Sequence, residues 1–199
     1  MKSFITAIFI LAAGVGSFAQ GDFKKQIATA KKSYTAGKLE DTHFALQQAL
    51  QELDMIIGKE VLKIMPQKLD SLNANPKDDR VAANIGFVGA TIHRSYGTQR
   101  TAEIEIINNS PMVNTLNTLL NSTMFGGMVR DDNNKVVKVQ GYKSRLEKQG
   151  DNANGKPNYH LQIPFSNALM TITANGMTEE QVLALANSFP LQDIAKLVQ

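Results

Sequence analysis

Three side chains in this sequence have the types and spacing to do chemistry together. His93 lies in the segment GATIHRSYG, Glu103 in QRTAEIEIINN and His160 in YHLQIPF. An imidazole changes its charge near neutral pH, so it can act as a general acid, a general base or a ligand contact. The alternative is that both histidines are solvated on an open sheet and titrate near the ordinary pKa of about 6.5. His93, Glu103 and His160 are the candidate ligand-binding residues, and His43 is expected at a helix surface.

Known catalytic and metal-binding motifs are missing from the sequence. It has no G-x-S-x-G, H-E-x-x-H or phosphate-binding glycine loop, and the lack of cysteine excludes thiol catalysis, cysteine zinc sites and disulfides. A calcium loop counted from Asp131 would need Gly and Glu where Val136 and Tyr142 stand. Met124 and Met128 have the spacing of a Cu(I) pair, but the glycines between them favour a loop. We therefore expect no catalytic residue, no cofactor and no metal.

Alternating apolar and polar residues predict that His93 and Glu103 lie on two strands of one β-hairpin. A three-residue turn at 97–99 pairs Ile92 with Ile104 on the apolar side. The same register pairs His93 with Glu103 on the polar side. Directly opposed residues have Cβ atoms about 4.5–5.5 Å apart, so this register brings the imidazole and the carboxylate together.

A second β-hairpin is predicted from YHLQIPF and ALMTITA. A two-residue turn at 166–167 pairs Leu161 with Ile172 on its apolar side. It also pairs His160 with Thr173 on the other side. Both histidines are therefore expected on the polar face of a sheet.

The sequence predicts two helices over residues 22–65, the first ended by Gly37 and the second by Pro66. An apolar stripe on the second helix is expected to be buried against the main domain; it includes Leu46, Leu50 and Leu53. Six residues have the spacing of a single tetratricopeptide-like helical hairpin: Tyr34, Gly37, Thr42, Leu46, Ala49 and Leu50.

Two further helix starts are marked by capping residues. Ser110 and Pro111 suit the N-cap and the first position of a short helix. Thr178 and Gln181 have the spacing of a capping box. The apolar side of the short helix is expected to consist of Val113, Leu116, Leu119 and Leu120.

The order of these elements predicts an α+β fold, with an N-terminal helical hairpin followed by a mainly antiparallel sheet. The sheet is expected to have about six strands, with helices packed on one face. The predicted divisions are a signal peptide (1–19), the helical hairpin (20–65), a polar connector (66–83) and the α+β domain (84–199).

The first 20 residues have the three-part layout of a secretory signal peptide. Lys2 is followed by an apolar run over 4–15, and the small residues Ser17 and Ala19 suit a cleavage site before Gln20. The run is too short for a membrane span of about 20 residues. We expect an exported protein, periplasmic or extracellular, with no transmembrane span after cleavage.

The charge balance gives no basis for nucleic-acid binding. The chain carries 21 basic and 18 acidic residues, a net charge of +3. A partner protein or an envelope component is the expected partner.

The segments GATIHRSYG, SPMVNTLNTLL and MTITANGM resemble a group of small exported proteins of Gram-negative bacteria. In that group a strand pair precedes an Asp/Ser-Pro-Met helix, and further strands near a glycine precede a closing helix. The resemblance spans about residues 84–198 and implies a fold and export, without an activity.

The leading functional hypothesis is a non-catalytic module that binds through the helical hairpin or the polar sheet face. The alternative is a carrier that holds a small or lipophilic ligand between the sheet and its helices. An enzyme of unknown class comes third. A cavity of several hundred cubic ångströms would favour the carrier.

Overall fold

The computed structural model describes residues 17–83, 89–122 and 133–198. The chain divides into two compact units, residues 1–49 and 50–199. Most of the predicted signal peptide, and the Met124 and Met128 pair, lie outside the described residues. The division falls within a helix, well before the predicted connector at 66–83.

The two N-terminal helices are α1 (Ser17–Thr35) and α2 (Leu39–Ile64). Gly37 adopts a φ of +71°, the left-handed conformation that ends many helices and that glycine adopts without strain. Pro66 follows the end of α2, and the helix passes through Gly58 without a break. The predicted helices over 22–65 are confirmed.

The apolar stripe of α2 is exposed, so the prediction that it is buried is wrong. Leu46, Leu50 and Leu53 are 44%, 43% and 38% exposed. The helix instead buries a row of smaller residues: Thr42, Ala45 and Ala49. Ala45 and Ala49 each precede a leucine of the stripe by one residue, which is a rotation of about 100° around the helix axis. The spacing of the leucines correctly indicated a helix, but helical spacing alone does not determine which face is covered. His43 is exposed, as predicted.

We expect Leu50→Ala to change the free energy of unfolding by less than about 0.5 kcal/mol. The Leu50 side chain is exposed, and both leucine and alanine are good helix formers. Its buried neighbour provides the contrast, because Ala49→Leu should cost about 1–3 kcal/mol through overpacking. Urea unfolding followed by circular dichroism measures both. A loss above 2 kcal/mol for Leu50→Ala would show that the stripe is packed.

Segment 66–83, predicted as a polar connector, forms ordered structure. It contains the short strands β1 (Lys68–Leu69) and β2 (Leu72–Asn73), a 3₁₀ turn (Pro76–Asp78) and β3 (Arg80–Ala83). Leu69 is fully buried. Each strand of this segment is only two to four residues long. Such short strands do not show the alternation of apolar and polar residues by which a strand is predicted from sequence.

The α+β class is confirmed: the described residues form a seven-stranded antiparallel sheet and several helices. The sheet order is β3-β4-β5-β9-β8-β7-β6. The strands after β3 are β4 (Ala90–Tyr96), β5 (Ala102–Ile107), β6 (Asn134–Val139), β7 (Tyr142–Asp151), β8 (Pro157–Phe165) and β9 (Ala168–Asn175). The later helices are α3 (Met112–Asn121), α4 (Glu179–Asn187) and α5 (Leu191–Leu197).

The register between β8 and β9 is the predicted one. Leu161 pairs with Ile172 and His160 with Thr173. The predicted capping box at α4 is also present, since the Thr178 hydroxyl accepts from the Gln181 amide and the Gln181 side chain accepts from the Thr178 amide.

The register between β4 and β5 differs from the prediction by two residues. Ile92 pairs with Ile106, His93 with Glu105 and Ser95 with Glu103. The turn therefore spans the five residues 97–101 rather than three. A shift of two residues keeps every side chain on its predicted face.

Both faces of the sheet carry a helix. The main core joins one face to α4, α5 and the end of α2, around Ile104, Ile163 and Val182. On the other face, α3 packs over Leu169 through Val113, Leu116 and Leu120. Helix packing is therefore not confined to one face, and Leu119, predicted on the apolar side of α3, is 37% exposed.

Candidate functional site

The polar face is the side of the sheet opposite the main core. Strand alternation places all three predicted site residues there, together with Glu105, Arg145, Glu147, Thr171 and Thr173. The structure brings His93 and Glu103 together, with His93 Nε2 3.8 Å from Glu103 Oε2. His160 lies two strands from Glu103, with Thr173 between them. Two strand spacings are about 9.6 Å, so the three residues do not form one cluster.

The His93–Glu103 contact is too long for a hydrogen bond. The two side chains are diagonal neighbours, since Glu105 is the residue opposite His93. Both are partly exposed, at 20% and 32%. Such a pair attracts weakly, and only when the histidine is protonated.

His160 is half-buried opposite Glu147 and Thr173. Its burial lowers the pKa of the imidazole below the ordinary 6.5, because a charged ring loses hydration there; Glu147 opposes this shift and Arg145 adds to it. His160 is therefore less solvated than a side chain on a fully open sheet would be.

We expect His160 to make the fold less stable in acid. Because its folded pKa is below the unfolded value, the unfolded chain takes up a proton first as the pH falls below about 6.5. The contribution to stability is present above pH 6.5 and is lost as the pH falls through the folded pKa. His160→Gln keeps a polar side chain but cannot titrate. Urea unfolding at pH 7.5 and pH 5 should show wild type losing more stability than the variant, and equal losses would contradict this.

A separate cavity of about 560 Å³ lies between the β1–β2 turn and α4. We call it the α4 cavity. Its apolar lining comes from Leu69, Leu72, Met177, Ala184 and Leu185. Its polar lining comes mainly from Asp70, Ser71, Thr101, Gln181 and Ser188.

Local backbone features build the walls of this cavity. Asp70 turns the chain between β1 and β2 with a φ of +51°, a conformation that Asp and Asn tolerate better than most residues. Gly176 ends β9 with a φ of +68°. The capping box at Thr178 then starts α4, whose Gln181 and Leu185 face the cavity one turn apart. Sequence reasoning missed this site because none of these residues belongs to a chemical motif.

A neighbouring cavity of about 610 Å³ shares Ser71 and Leu72 with the α4 cavity. Its two charged lining groups, Asp78 and Arg100, are paired with each other. Asp78 accepts from the Ser95 hydroxyl at 2.8 Å and from Arg100 Nε at 3.2 Å. The Ser95 bond, followed by Arg100, holds the pKa of Asp78 below its ordinary value. The charged groups of this second cavity are therefore already compensated within the protein.

The lining of the α4 cavity offers a ligand apolar contacts and hydrogen-bonding groups. It contains hydroxyl groups but no histidine that could activate one as a nucleophile. Within 17–83, 89–122 and 133–198, no three residues of metal-binding type form a cluster.

Comparison with known protein families, curated proteins and solved structures finds no match. The resemblance to small exported proteins of Gram-negative bacteria therefore stays a prediction. Among the described helices, none is long and apolar enough to cross a membrane.

Proposed function

We propose that this protein is an exported, non-catalytic binding protein that holds a small ligand in the α4 cavity. One observation carries the proposal: a half-enclosed space of about 560 Å³ combines an apolar lining with a few polar groups. Sites for small molecules typically have volumes of about 300–1,000 Å³ and this mixed lining.

This proposal takes up the carrier that the sequence analysis left as the alternative. The α4 cavity has the size expected for a carrier, and it lies between one end of the sheet and a helix. The module that binds a partner through the helical hairpin is the second candidate, supported by the exposed Leu46, Leu50 and Leu53 stripe. The polar face supports neither candidate as well, because His160 lies apart from His93 and Glu103.

Export is proposed on the sequence of the first 20 residues. We expect the mature chain to begin at Gln20, and its intact mass decides this. A mature protein that keeps Met1 would contradict export through a cleaved signal peptide.

Ligand binding is tested with a neutral fluorescent probe, Nile red. Ala184 lines the cavity from an exposed position of α4, so Ala184→Trp should place a large ring in the cavity without disturbing the core. Gln192→Trp adds the same ring to an exposed position of α5 that does not line the cavity. We expect saturable binding by wild type and by Gln192→Trp, and at least tenfold weaker binding by Ala184→Trp.

The exposed leucines of α2 provide the competing binding surface. A Leu50→Ser, Leu53→Ser variant should bind Nile red as wild type does. If this variant loses the probe and Ala184→Trp keeps it, the α4 cavity is not the site. If wild type shows no saturable binding, the carrier proposal fails.

A further inference from the structure

We infer that the α4 cavity selects amphiphiles by charge, accepting neutral or cationic head groups and disfavouring anionic ones. This inference rests on the proposed function and names the ligand class of the same site. It starts from the charges at the cavity wall. Asp70 is the titratable side chain among the lining residues, and it is exposed at the β1–β2 turn.

The start of α4 does not supply an anion site at this wall. The N-terminus of a helix attracts anions through its free amide groups and its dipole. Here Thr178 and Gln181 satisfy two of those groups through the capping box. Glu179 and Glu180 add two carboxylates in the same first turn. The N-terminus of α4 is therefore complemented by the chain's own carboxylates.

Among the described residues, the basic side chains that adjoin this site are not in the lining of the α4 cavity, and Lys135 is paired with Glu179. Lys68 precedes Leu69 in β1, and successive side chains of a strand point to opposite sides. Arg100 lines the neighbouring cavity and is paired with Asp78. The stem of Lys156 lies beside Gly176, and its side chain is not among the lining groups. An anionic head group bound here would face Asp70, and no lining group among the described residues is a cation.

Three amphiphiles with the same ten-carbon chain isolate the effect of charge: decyl maltoside, decyltrimethylammonium and decanoate. Binding is measured by calorimetry at pH 7.5, low salt and concentrations below micelle formation. We expect the dissociation constant of decyltrimethylammonium to be at least about fivefold lower than that of decanoate. The expected ratio is modest because an exposed charge such as Asp70 changes binding affinity only by a small factor. Raising the salt to 0.5 M should largely remove this ratio, because screening weakens exposed charges.

Asp70→Asn tests the residue that the inference names. Asn adopts the left-handed conformation of this turn readily, so the fold should be kept. The variant should bind decyltrimethylammonium and decanoate almost equally. Asp193→Asn, on an exposed position of α5 that does not line the cavity, should bind all three amphiphiles as wild type does.

The outcomes separate the inference from the proposal beneath it. If none of the three amphiphiles binds, the proposed function fails. If decanoate binds best, or if Asp70→Asn keeps the wild-type ratio, the ligand site stands and the charge selection is wrong.

Discussion

Replacing Arg94 with Met is expected to lower the free energy of unfolding by about 3–5 kcal/mol. Arg94 lies on the apolar face of β4, between Ile92 and Tyr96, and is only 3% exposed. Removing Arg94 leaves the largely buried carboxylate of Asp79 without compensation, and that penalty exceeds the net benefit of the pair itself.

The contacts of Arg94 explain the size of this effect. Its Nε donates to Asp79 Oδ1 at 2.9 Å and its Nη2 to Asp79 Oδ2 at 2.6 Å. A third donor, Nη1, binds the carbonyl oxygen of Met65 at 2.9 Å. The guanidinium therefore links β4 to the end of α2 and to the segment before β3. Asp79 raises the pKa of Arg94, so the guanidinium stays charged.

Two further variants test whether the burial of Arg94 causes the expected loss of stability. Arg100→Gln breaks the exposed pair with Asp78 and should leave stability almost unchanged. The double variant Arg94→Met, Asp79→Leu removes both charges and should recover part of the loss, because no charge is left unpaired. Urea unfolding measures all three variants. A loss below 1 kcal/mol for Arg94→Met would mean that the site readily admits water.

The same arginine shows why one strand register could be predicted and the other could not. In β8 and β9, the short turn and the strict alternation leave one register that pairs Leu161 with Ile172. In β4 and β5, a slip of two residues keeps every residue on its face, so the apolar pattern does not choose between registers. The observed register pairs Arg94 with Ile104, whereas the predicted register would pair it with Ala102. Arg94 lies on the apolar face in both registers and both partners are apolar, so hydrophobicity does not distinguish the two pairings.

The candidate site was predictable only in part. Strand alternation correctly placed His93 and His160 on the polar face, because faces follow from a period of two. The α4 cavity was not predictable, since its walls meet through tertiary packing: Leu69 and Leu185 are far apart in the sequence. The short strand that holds Leu69 gives no periodic signal of its own.

Asp54 is the second buried charge, and Asp54→Ala is expected to cost about 2 kcal/mol or more at pH 7. Asp54 is 5% exposed in α2. Its Oδ2 accepts from the Gly89 amide at 2.8 Å, and its Oδ1 from the Asn108 side-chain amide at 3.3 Å. Alanine would leave both donors buried without a partner, and each such donor costs about 1–3 kcal/mol.

The pH dependence of this site distinguishes the charge from the hydrogen bonds. Burial raises the pKa of Asp54 above 3.8, and the two hydrogen bonds only partly oppose it. A raised pKa favours the folded state at pH values below 3.8, and this advantage is lost as the pH rises through the folded pKa. Asp54→Asn keeps an acceptor for Gly89 and does not titrate. Relative to this variant, wild type should therefore lose stability between pH 4 and pH 7, measured by urea unfolding at both values. If the difference in unfolding free energy between wild type and Asp54→Asn does not change with pH, the carboxylate is hydrated in the folded protein. The loss of stability in Asp54→Ala would then come from the hydrogen bonds alone.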